Sequence, residues 1–65
     1  MKSITKYYEI KNFCEFTEIE AIGSVENMTK EVIHTIMGNK PVTVTNWVND
    51  VTGIGFEIRE YLVAD

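Results

Sequence analysis

Between Ser24 and Gly38 the large apolar residues Val25, Met28, Val32, Ile33, Ile36 and Met37 fall at i, i+3, i+7, i+8, i+11 and i+12, the spacing of one stripe along an α-helix. Ser24 is an N-cap residue type, and Glu26 lies where the helix dipole favours a carboxylate. Gly38, with Pro41 beyond it, supplies a stop. The spacing predicts a helix over 25–37. After Pro41 the period changes to two. In VTVTNWV, Val42 and Val44 share one face while Thr43, Thr45 and Trp47 share the other. In GFEIREYLV, Phe56, Ile58 and Leu62 oppose Glu57, Arg59, Tyr61 and Val63. Both segments read as strands, and the intervening NDVTGIG reads as a hairpin loop.

The first third of the chain has a third rhythm, with Ile10, Phe13, Phe16, Ile19 and Ile22 at every third position. On a helix such positions drift by about 60° each time, so five of them cannot form one buried stripe. The expectation is a strand over Ile4–Ile10, a turn at Lys11-Asn12, and a second strand over Phe13–Ile22 with a bulge near Glu15 or Thr17. A helix over Ile4–Cys14, capped by Ser3, is the competing reading. The expected layout is ββαββ: a single small α+β domain over residues 1–65, with one amphipathic helix packed on a three- to four-stranded antiparallel sheet. One helix covers one face of such a sheet and leaves the other to water or a partner.

Composition narrows the function classes. One cysteine, Cys14, excludes an internal disulfide and fits a reducing, cytoplasmic setting. One Cys and one His do not make a zinc site. No apolar run reaches the roughly 18 residues of a membrane span. Ten acidic against six basic residues give a net charge of −4, the wrong sign for direct nucleic-acid binding and the right one for a basic protein surface.

Candidate chemistry is sparse. His34 reads as a solvated residue on the polar side of the expected helix; catalysis would require an orienting partner and a pocket. Cys14 stands beside Glu15, a neighbour that opposes thiolate formation. Gly53 and Gly55 precede a strand rather than a helix, so turn chemistry explains them better than a phosphate loop. No catalytic residue, cofactor site or metal site is expected.

Two binding surfaces remain. Thr43, Thr45, Trp47, Arg59 and Tyr61 are expected together on an uncovered sheet face, and Trp, Tyr and Arg dominate interface hot spots. Glu15, Glu18 and Glu20 form an acidic edge. The expected function is a small, acidic, non-enzymatic regulator that binds and modulates or inhibits a larger cytosolic protein. The alternative is an acidic nucleic-acid mimic that occupies a DNA- or RNA-binding enzyme. Homodimerisation through the uncovered face or an edge is a further expectation. The small size, acidity and AT-rich-type composition look like those of short regulatory proteins of bacteriophages and mobile elements, though no motif carries that likeness.

Overall fold

The computed structural model describes residues 2–34 and 43–63. They form five strands: β1 (Lys2–Lys11), β2 (Glu15–Ile19), β3 (Thr29–His34), β4 (Thr43–Val48) and β5 (Gly55–Val63). All belong to one antiparallel sheet in the order β2-β1-β5-β4-β3. The architecture is all-β among the described residues, which corrects the expected α+β layout.

The correction centres on the expected helix. Thr29–His34 is a strand paired along its whole length with β4, from Thr29 opposite Val48 to His34 opposite Thr43. Residues 35–37 of the expected helix, its stop at Gly38 and Pro41, and Val42 of the next strand lie outside the described residues. Thr29, Val32 and Ile33 are β-branched; they lose side-chain freedom in a helix and suit a pleated strand. Ser24 does act as a cap, but of a single turn: its Oγ accepts the Glu26 N–H at 3.4 Å. Met28 N–H donates to Val25 C=O at 3.3 Å, and Asn27 at φ 61° then turns the chain out of helical geometry.

The first hairpin forms, with different boundaries. Asn12 and Phe13 have φ of 51° and 65°, the pair of positive values of a type I′ turn, and Cys14 N–H donates to Lys11 C=O at 3.2 Å. From Lys11 opposite Glu15 to Tyr7 opposite Ile19 the register is continuous, so β2 contains no bulge and ends at Ile19. The threefold rhythm has another cause. Ile10 and Phe16 are directly opposed on one face, Phe13 sits in the turn, Ile19 lies on the other face, and Ile22 belongs to the connection that follows. The competing helix over Ile4–Cys14 is excluded by the pairing of β1 with β5.

β2 and β3 are the two outer strands, so the connection over residues 20–28 must traverse the sheet. A Cβ on Gly23 would meet Phe56 Cζ at 3.3 Å, which places the traverse over the face that carries Phe56. On this crossover face Ile19, Tyr7, Ile58, Thr45 and Val32 form one row, and Thr17, Glu9, Phe56, Trp47 and Lys30 the next. The opposite, Glu57 face carries Glu18, Tyr8, Glu57, Asn46 and Glu31 in one row and Lys6, Arg59, Val44 and Ile33 in the next. Ile10 is the one fully buried apolar side chain among the described residues.

The expected loop between β4 and β5 is built around Asn49. Its Oδ1 accepts the N–H groups of Val51 and Thr52 at 2.9 and 3.1 Å, and its C=O accepts Gly53 N–H at 2.9 Å. Gly53, at φ 74°, is buried against the first hairpin: its C=O accepts Phe13 N–H at 3.0 Å. The two turns thereby lock together at one end of the sheet.

Candidate functional site

The alternation within β4 and β5 is as read from the sequence, and the register between them decides which residues meet. Trp47 lies opposite Phe56, so Thr43, Thr45 and Trp47 share the crossover face with Phe56 and Ile58. Arg59 and Tyr61 are an odd number of positions from Phe56 and lie on the Glu57 face. The expected five-residue cluster is therefore divided between two faces. Trp47 is half-buried beside Phe56, with Lys30 Nζ 5.9 Å from its ring centroid. Thr43 Oγ1 and His34 Nδ1 are 3.4 Å apart at the far end of the same face.

The grouping that the register creates instead is centred on Arg59. Its guanidinium lies 4.1 Å from the ring centroid of Tyr8 and 5.4 Å from that of Phe16. Its Nε donates to Glu57 Oε2, and Asn46 Nδ2 donates to Glu57 Oε1 at 3.1 Å. Glu57 is 6% exposed, so its charge is matched from two sides, by Arg59 on its own strand and Asn46 on β4. Burial works to lower the Arg59 pKa, but the hydrogen bond and charge of Glu57, together with Tyr61 and Tyr8, outweigh it and raise the pKa above its ordinary value. The result is a planar cation held over two aromatic rings by a buried carboxylate.

Exposed apolar side chains flank this group. On the same face, Ile4 is 37%, Phe16 43% and Ile33 46% exposed. Nearer the locked turns the same face is closed, with Ile10 at 0% and Glu57 at 6% exposure, so the exposed apolar residues rim a covered centre. Sequence reasoning does not find Tyr8 and Phe16, because their approach to Arg59 follows from the pairing of β1 with β5 and of β2 with β1. The Arg59–Glu57 spacing within one alternating strand could have found that ion pair, but no local signal points to the two rings.

The carboxylates are dispersed. Glu15 lies on the crossover face and Glu18 on the Glu57 face, while Glu20 begins the traverse. Glu9, on the crossover face, is 3.6 Å from Lys11 Nζ. Cys14 is exposed in the first turn, whereas His34 is on the opposite outer strand and at the other end of the sheet. Among the described residues no three of His, Cys, Asp and Glu gather as metal ligands, and no helix is long and apolar enough to cross a membrane. Comparison with protein families, characterised proteins and solved structures finds no match to this chain.

Proposed function

We propose that this protein is a non-enzymatic interaction module that binds a larger cytosolic protein through its Glu57 face. The observation that carries the reading is the Arg59 stack: an arginine over Tyr8 and Phe16, with Tyr61 on the same face and Phe16 43% exposed. Arg and Tyr are the side chains that most often supply interface binding energy, and here the buried Glu57 pre-orients the arginine. Ile4 and Ile33 extend the apolar area around that centre. The net charge of −4 favours a partner with a basic surface.

The test compares proteins retained from a host lysate by the immobilised chain and by two variants, Arg59→Lys and Phe16→Ala. Lysine keeps a cation beside Glu57 but loses the planar stack, so the fold is retained and the face is altered. The expected result is a partner whose affinity drops at least ~30-fold with either variant, the scale of a hot-spot residue. Equal affinity for native and variant chains would refute the reading. Affinity that collapses with added salt and ignores both variants would assign binding to the dispersed carboxylates instead.

A further inference from the structure

We infer that β3 is a dimerisation edge, pairing antiparallel with β3 of a second copy around a two-fold axis through Val32. The two outer strands differ in charge. β2 carries Glu15 and Glu18 within five residues, with Glu20 next, so self-pairing would gather carboxylates. β3 carries one Lys and one Glu, which cancel, and exposes Val32 and Ile33 by 44% and 46% on opposite faces. It runs six residues without a bulge, and no other described strand pairs with its outer side. Apart from the mutually cancelling Lys30 and Glu31, the described edge carries no proline, bulge or covering strand to protect it.

Symmetry narrows the register. When two identical strands pair antiparallel across an axis perpendicular to the sheet, opposed residues must lie on the same face, so the axis passes through a residue rather than between two. Centring on Lys30 opposes two lysines, and centring on Glu31 opposes two glutamates. Centring on Ile33 leaves three pairs within the strand. Centring on Val32 gives five: Val32 on Val32, Glu31 opposite Ile33 at two places, and Lys30 opposite His34 at two places. Among the described residues this is the longest register that opposes no two like charges.

The pairing is tested on the purified chain alone, with no partner present for the Glu57 face. Sedimentation should show a concentration-dependent dimer, and Val32→Lys, which opposes two added cations at the axis, should halve the mass while circular dichroism retains the β spectrum. In a Cys14→Ser background, Val32→Cys should cross-link under mild oxidation, because directly opposed residues have Cβ atoms about 4.5–5.5 Å apart, close to disulfide reach. Ile33→Cys, placed opposite Glu31 of the second copy, should not. A chain that stays monomeric, a dimer indifferent to Val32→Lys, preferential cross-linking by Ile33→Cys, or open-ended polymers joining β2 to β3 would each overturn the inference.

Discussion

Gly53 and Phe13 each hold a left-handed backbone conformation, and each is the other's support. A Cβ at Gly53 would lie 2.8 Å from Phe13 Cδ2, in addition to the cost of its φ of 74°. Gly53→Ala is therefore expected to lower stability by about 1–3 kcal/mol, the scale of a strained residue, read as a shift in the denaturant midpoint. Gly55 is more tightly constrained, since a Cβ there would overlap the Trp47 carbonyl oxygen, which is backbone and cannot rotate away. Gly55→Ala should cost more than Gly53→Ala in the same titration. For Glu57, removing its counter-charge leaves a carboxylate at 6% exposure with Asn46 alone, so Arg59→Ala should cost several kcal/mol, of the order of 3–5 for a broken buried pair. Arg59→Lys should restore most of that. Because the pKa of Arg59 is raised, its stabilising effect is fully present below the unfolded-state value and is lost only at strongly alkaline pH. Stability near neutrality should thus be insensitive to the titration of this arginine.

At the level of elements, the chain was legible where one period ran unbroken. β4 and β5 alternate over six and nine residues, and their faces follow directly from that alternation. β3 was not legible in that way. Val25, Met28, Val32 and Ile33 satisfy a helical stripe, yet the same residues supply one half-buried turn, one connection and a strand with one aliphatic side chain on each face. Pairing with β4 overrides the local pattern, and no local window contains that information. The Arg59 site was half legible for the same reason: Arg59 and Tyr61 stand out as hot-spot residue types, but their meeting with Glu57, Tyr8 and Phe16 depends on the register between strands. Circular dichroism of the purified chain should show a β spectrum lacking the helical double minimum. The loop after β4 makes a separate prediction. Asn49→Ala removes two side-chain acceptors from Val51 and Thr52 and should cost about 1–2 kcal/mol by the same denaturant measurement.

At the scale of the molecule, the sheet and traverse that the described residues form have little interior: Ile10 alone among the described apolar side chains is fully buried. Stability then rests on strand pairing, interlocked turns and the Arg59–Glu57 contact rather than on a thick core, and small chains of this kind are sensitive to single losses.

The position of β5 has a further consequence. Fifth in chain order, it is third in the sheet, between the two hairpins. During synthesis the β1–β2 and β3–β4 ribbons emerge from the ribosome before β5, tethered by the traverse but with no strand pairing between them until β5 is in place. Closing the sheet requires β5, so a message truncated before Gly55 is expected to yield two tethered ribbons, each lacking its inner neighbour.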